Sequence, residues 1–248
     1  MGTRLIDRGL RLDGDDPALW NLSHPEAVAE VHALDLAAGA KAVVTNTFGA
    51  NRLWLARYGK AGEAAAINRR GAALAREAAG PDRFVVGSIG PTAAGDPDAL
   101  RAQADALADA SVDALLFETF RADQAAAALA AVRGLDGLPR IVSLIAWPEA
   151  AGEAVRRLED LGASALGGNC QNGTAAALET AERLAPLTRL PLWIKPSAGL
   201  PGTPPEEPAS FAAAAPKLLA LGVRFLGGCC GTTEAHVAAL HAACYAPR

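Results

Sequence analysis

Seven short apolar runs are spaced along the chain, at Ala42 to Phe48, Phe84 to Ile89, Ala114 to Phe120, Arg140 to Ala146, Ala163 to Cys170, Leu192 to Ser197 and Val223 to Cys229. Cores such as Phe84-Val85-Val86, Ile141-Val142-Ser143-Leu144-Ile145 and Leu192-Trp193-Ile194 are largely continuous, which marks strands covered on both faces. The stretches between them are rich in alanine, the strongest helix former. Ser23-His24-Pro25-Glu26 reads as a capping box with proline in the first turn. Ala27, Val31, Leu34 and Ala38 then mark the apolar face of a helix that Gly39 ends. Arg52 to Ala79 reads as one or two helices interrupted near Gly59. Regular strand-helix alternation of this kind builds either a doubly wound sheet or a closed eight-stranded barrel. No glycine-rich dinucleotide fingerprint follows an early strand, which favours the barrel. The expected fold is therefore α/β, a (β/α)8 TIM-type barrel whose first strand is missing. Residues Met1 to Asn21 are charged, are broken by Gly2, Gly9, Gly14 and Pro17, and hold no run of β-branched residues.

The ends of these runs carry the chemistry. Thr45-Asn46-Thr47-Phe48, Gly87-Ser88-Ile89-Gly90-Pro91, Phe117-Glu118-Thr119, Gly168-Asn169-Cys170, Lys195-Pro196-Ser197 and Gly227-Gly228-Cys229-Cys230-Gly231-Thr232-Thr233 all fall at C-terminal ends, which a barrel gathers around one mouth. Side chains alternate along a strand, so the adjacent thiols of Cys229 and Cys230 reach one atom only where the backbone leaves the pleat, and the flanking glycines permit that. With Cys170 they supply three thiolates, which fill all but one corner of a zinc tetrahedron, and a catalytic zinc keeps one corner open. The competing reading treats them as small core residues, and adjacent cysteines bridge poorly as a disulfide.

Length, charge and cysteine usage narrow the picture. A chain of 248 residues suits one barrel, residues 1–248, and leaves little room for a second domain. A formal charge of −4 with scattered arginines argues against nucleic acid as a partner. No run reaches the roughly 18 apolar residues of a membrane span, and no apolar signal core appears near Met1, so a cytoplasmic location is expected. Four cysteines without framework spacing fit a reducing compartment, and Cys244 reads as packing. His24, His32, His236 and His241 fall on helices or helix starts, away from the mouth, and none reads as a ligand.

Thr45-Asn46-Thr47-Phe48, Gly168-Asn169-Cys170 and, most specifically, Gly227 to Thr233 resemble the zinc-dependent homocysteine S-methyltransferases. That family includes the homocysteine-binding module of cobalamin-dependent methionine synthase and the betaine-dependent enzyme. Trp20 to Glu26, Asn46 to Gly59 and Lys195 to Pro201 are most similar to the methionine synthase branch. The resemblance implies a homocysteine-binding barrel, a Zn2+ ion on Cys170, Cys229 and Cys230, and methyl transfer to the homocysteine thiol to give methionine. It also implies that Glu118 holds the substrate ammonium and that Thr47 binds the substrate carboxylate, assisted by Ser88. Asn169, beside Cys170, reads as a residue that orients this metal ligand. The implied donors are a methylated corrinoid protein, S-methylmethionine or betaine, the first requiring a corrinoid-binding partner protein over the mouth. Family members also carry a first strand ending in Asp-Gly just ahead of a segment similar to Met1-Gly2-Thr3, and an acidic residue there helps to hold the homocysteine amino group. Either the start lies upstream, or the barrel is incomplete and its substrate site impaired.

Other readings lead elsewhere. A barrel left incomplete suggests a non-catalytic zinc- or thiol-binding subunit. The Gly227-Gly228 turn ahead of a helix suggests a phosphate site. Lys195 suggests a Schiff-base enzyme of aldolase type, or only a charge on the barrel rim. The proline-rich stretch Leu200 to Pro208 is long enough for a lid, or a rigid connector.

Overall fold

The computed structural model describes residues 1–92, 96–199 and 204–245. Part of the proline-rich stretch, residues 200–203, thus lies outside the described residues. The helices are α1 (Gly2–Ile6), α2 (Trp20–Ser23), α3 (Pro25–Ala37), α4 (Arg52–Leu55), α5 (Ala64–Ala79), α6 (Pro97–Asp109), α7 (Ala122–Ala131), α8 (Ala151–Asp160), α9 (Gly173–Leu184), α10 (Pro208–Ala213), α11 (Ala215–Ala220) and α12 (Glu234–Tyr245). The strands are β1 (Ala42–Val44), β2 (Phe84–Ile89), β3 (Ala114–Phe120), β4 (Arg140–Leu144), β5 (Ala165–Asn172), β6 (Leu192–Ser197) and β7 (Val223–Leu226).

All seven strands lie in one sheet in the order β1 to β7, and every neighbouring pair is parallel. The alternation of side chains sorts this sheet into two faces. Val43, Val85, Leu115, Phe117, Val142, Leu144, Leu166, Leu192, Ile194 and Val223 share an outer core with helix residues such as Leu107, Leu129, Leu158 and Leu218. The opposite face gathers Val86, Ala114, Leu116, Ile141, Ala165 and Trp193 into one cluster, with Ala42 and Val44 packed against it. Side chains from β1 to β6 meet in a single cluster only if the sheet curls, so the architecture is an open, half-barrel α/β sheet, consistent with a TIM-type barrel lacking one strand. No eighth strand joins β7 to β1 among the described residues.

The positions of all seven strands match the pattern of the sequence, but their ends differ. β1 stops at Val44 and not at Phe48 because polar side chains there turn inward: Asn46 Nδ2 donates to Pro17 O at 2.6 Å and Thr47 Oγ1 to Ser88 O at 2.7 Å. β4 ends at Leu144, and β7 ends at Leu226, before the paired cysteines. The Ser23 capping box does not form. His24 occupies the cap position without a side-chain cap, and Ser23 Oγ instead donates to Leu19 O at 3.3 Å, closing α2. The segment Arg52 to Ala79 does divide near Gly59, which ends a short turn at φ 70° before α5 begins.

The charged opening segment is helical at α1. Buried Arg4 donates to Asp35 of α3 and, at 2.6 Å, to Glu234 of α12, so one side chain ties the helix beside β1 to the helix after β7. Thr3 Oγ1 accepts from the Gly231 amide at 3.3 Å, placing α1 beside the paired cysteines.

Candidate active site

Cys170 sits near the end of β5 with φ 56°, a left-handed backbone that a residue with a β-carbon adopts only when its surroundings enforce it. Two glycines precede it on the same strand. A β-carbon on Gly167 would lie 1.6 Å from the carbonyl oxygen of Trp193, so only glycine lets β5 approach β6 there. Across the mouth, Cys229 N donates to Pro196 O at 2.9 Å and Cys230 O accepts from Ala198 N at 2.8 Å, stitching the cysteine turn to the end of β6. Thr232 Oγ1 closes that turn on Cys229 O at 2.7 Å, and it packs where a β-carbon on Gly228 would stand, 2.4 Å from Thr232 Cγ2. Gly231, at φ 74°, lies against the backbone of Gly199.

These turns bring the sulfurs of Cys170, Cys229 and Cys230 within 4.8 Å of one another, the only group of potential metal ligands of this kind among the described residues. Cys170 Sγ is 3.0 Å from Cys229 Sγ and 3.8 Å from Cys230 Sγ. Sulfurs bound tetrahedrally at about 2.3 Å from a zinc ion stand ~3.8 Å apart, so the Cys170–Cys230 separation already suits such an ion and the Cys170–Cys229 separation opens by under ~1 Å. Three soft donors, with no fourth ligand beside them among the described residues, fit a thiophilic divalent metal with one open position. Hydrogen bonds from Cys170 and then Cys230 hold the Cys229 thiol well below its ordinary range, with Lys195 adding a favourable charge. The hydrogen bond to Cys229 pushes the Cys170 thiol up in turn.

Next to the cysteines lies a ring of polar residues, all on the inner face of the sheet. Glu118 follows Ala114 and Leu116 in parity, Lys195 follows Trp193, and Ser143 follows Ile141. Ser88 Oγ donates to Glu118 Oε1 at 2.5 Å, and Lys195 Nζ donates to Glu118 Oε2 at 3.1 Å. The side chains of this ion pair are only 13% and 10% exposed, so Lys195 is an internal charge and not a solvated one on the rim. Burial pulls the Lys195 ammonium down, but Glu118 and then Cys229 outweigh it, and the net shift is upward. A lysine held protonated in this way is a poor Schiff-base nucleophile.

Asn169 is wholly buried. Its Oδ1 accepts from Thr119 N at 2.9 Å and Ser143 Oγ at 2.8 Å, and its Nδ2 donates to Thr119 Oγ1 at 2.8 Å. Thr119 has φ 67°, at a break in register between Glu118 and Phe120. Asn169 thus braces the kink that aims Glu118, and it does so from the residue beside Cys170. Thr47 Oγ1 donates to Ser88 O and meets Thr45 Oγ1 at 2.6 Å, and Ser88 N donates to Thr45 Oγ1 at 2.9 Å, so these hydroxyls hold the strand end behind Glu118.

A family model described as homocysteine S-methyltransferase matches residues 1–244. The chain belongs to this family. Methionine synthase of Mycobacterium tuberculosis is 32% identical over an alignment 285 positions long, which covers 98% of this chain and 24% of that protein. Methionine synthase of Mycobacterium leprae is 31% identical over the same span and coverage. The chain therefore spans about a quarter of the length of the curated relatives it matches. Among solved structures, the metallated form of the homocysteine methyltransferase MmuM from Escherichia coli superposes with a TM-score of 0.81 at 28% identity, over 97% of this chain and 92% of that one. A methyltransferase from Methanosarcina mazei, at 15% identity and a TM-score of 0.61, shares the fold.

Among the described residues no histidine joins the three-cysteine group of this homocysteine S-methyltransferase family member. His236 is buried between Thr233 and Glu206 O, and His241 packs near Gly39. Cys244 packs against the cluster around Phe211 and Leu240. At the start of α12 the acid Glu234 already meets the helix dipole and pairs with Arg4, which disfavours a phosphate there. Sequence reasoning missed the Glu118–Lys195 pair, although parity from Trp193 and Leu116 signalled it. It also missed Ser143 and Thr119, whose roles arise from contacts between strands far apart in the chain. No helix among the described residues is long and apolar enough to cross a membrane.

Proposed function

We propose that this chain is a homocysteine-binding barrel domain that transfers a methyl group to the sulfur of homocysteine, giving methionine, with Cys170, Cys229 and Cys230 holding a zinc ion. The observation that carries this reading is the convergence of three sulfurs within 4.8 Å at the mouth of an open half-barrel, in a chain that the family model matches over residues 1–244. When bound, the zinc makes a coordinated substrate thiol give up its proton and keeps its sulfur reactive at neutral pH. The protein's own groups do the rest. The cysteines supply the negative charge that holds the metal while leaving one position for substrate. Glu118 takes the substrate ammonium, with its other oxygen fixed by Ser88 and the strand end behind it secured by Thr47. Asn169 holds the kink at Thr119 that aims Glu118 and, through the adjacent backbone, the turn at Cys170.

The methyl donor is a methylated corrinoid protein, S-methylmethionine or betaine. Likeness to methionine synthases favours the first, which requires a corrinoid-binding partner seated over the mouth, whereas likeness to MmuM keeps a small-molecule donor in view. The test is zinc-loaded protein incubated with homocysteine and each donor in turn, with methionine quantified. Methionine from one donor, lost in Cys229→Ser, supports the reading. Zinc bound at about one per chain without methionine from any donor would favour a non-catalytic thiol-binding subunit.

A further inference from the structure

The ion pair between Glu118 and Lys195 spans the mouth from β3 to β6, with β4 and β5 between them. Its two ends are unequal. Glu118 Oε1 is anchored by Ser88, while Oε2 carries the contact to Lys195 at 3.1 Å. The lysine stem runs past Gly227, where an added β-carbon would lie 3.6 Å from Lys195 Cγ, so the stem lies beside the strand end that leads to the paired cysteines. A buried ion pair gains little over apolar packing for stability alone, and this one stands toward the C-terminal ends of its two strands.

An amino acid presents the mirror image of this pair: an ammonium and a carboxylate on one carbon. Glu118 is the anion available to the ammonium. The carboxylate needs a cation, and Thr47, whose hydroxyl is already given to Ser88 O, supplies none. Resting on the proposed homocysteine-binding function, we propose that Lys195 is a substrate-binding residue and that the Glu118–Lys195 pair is a closed clamp, opened by the substrate zwitterion so that the ammonium meets Glu118 and the carboxylate meets Lys195. The exchange keeps the charge of the mouth constant, because a neutral zwitterion replaces one internal ion pair by two. It also makes the site selective for α-amino acid thiols over thiols that carry only one of the two charges.

The test is calorimetric binding to zinc-loaded protein of L-homocysteine, of 3-mercaptopropylamine, which lacks the carboxylate, and of 4-mercaptobutyrate, which lacks the amine. Wild type is expected to prefer homocysteine over 3-mercaptopropylamine by ~10- to 100-fold, the scale of a hydrogen bond to a charged group. In Lys195→Met that preference disappears, with homocysteine weakened to the level of 3-mercaptopropylamine and the latter not weakened. The double variant Glu118→Gln/Lys195→Met removes both charges together, so no ion is left buried alone, and all three thiols should bind it alike. Equal wild-type affinity for homocysteine and 3-mercaptopropylamine would overturn the clamp, as would a Lys195→Met loss shared equally by both. Zinc-loaded wild type that binds none of the three thiols would instead overturn the homocysteine-binding function on which the clamp rests.

Discussion

Replacing Asn169 by alanine removes three hydrogen bonds, of 2.8, 2.8 and 2.9 Å, from a residue with no solvent exposure. Ser143 is also fully buried, so its hydroxyl loses its acceptor with no water to replace it, at a cost of ~1–3 kcal/mol. The Thr119 amide and hydroxyl lie nearer solvent, and each lost bond there costs ~0.5–1.5 kcal/mol. Relaxation of Thr119 from its left-handed backbone returns ~1 kcal/mol or more. The expected net loss is ~3 kcal/mol, equivalent to a fall in Tm of ~6–12 °C for a domain of this size. Urea unfolding measures it, and a cycle with Ser143→Ala assigns it. Because both variants break the same bond, the double variant should cost at least ~1 kcal/mol less than the sum of the singles. Asn169→Ala should also weaken homocysteine binding, because the aim of Glu118 changes, while the protein keeps its zinc, because all three cysteine sulfurs remain. A loss within ~0.5 kcal/mol of zero, or strict additivity with Ser143→Ala, would refute the brace.

Three further outcomes follow from the geometry. Gly167→Ala drives a β-carbon to 1.6 Å from Trp193 O, so β5 and β6 cannot keep their pairing, and the variant should lose more than ~4 kcal/mol and fail to appear as folded protein by circular dichroism. Gly228→Ala collides with Thr232, and zinc should leave it ~10-fold faster in a chelator competition, a loss that Gly228→Ala/Thr232→Gly should reverse in part because all the colliding atoms are gone. Burial pulls the His32 imidazole from 6.5 down to about 3. The unfolded chain therefore takes up a proton first as pH falls, and the stability present above pH 6.5 is lost at up to ~1.4 kcal/mol per pH unit between that point and about 3. By pH 5 that loss is ~2 kcal/mol, and His32→Leu should flatten this part of the stability profile measured by denaturation.

Much of the fold was legible because strands buried on both faces leave continuous apolar runs, and Val85-Val86 or Ile141-Val142 cannot be mistaken for exposed segments. Strand ends were less legible. Thr45 to Phe48 has the composition of a strand, yet Asn46 and Thr47 find partners on Pro17 and Ser88 and pull the chain out of the ladder. The cysteines announced themselves through their flanking glycines, and the left-handed turn at Cys170 is the departure from the pleat that such a cluster demands. Lys195 was harder to place. Its sequence neighbours suit a rim position, and only its parity with Trp193 and its distance from Glu118 put it inside. The α1 segment gave no periodic signal because Arg4 is its anchor, and a buried arginine pairing with Asp35 and Glu234 reads in sequence as one more surface charge.

The central claim is that three cysteine sulfurs hold a metal with one position left for a substrate sulfur. X-ray absorption at the zinc edge of the loaded protein, before and after L-homocysteine, tests it most directly. The account predicts three sulfur neighbours at about 2.3 Å rising to four on addition of homocysteine. A zinc shell that already holds four protein ligands, or one that homocysteine leaves unchanged, would contradict it.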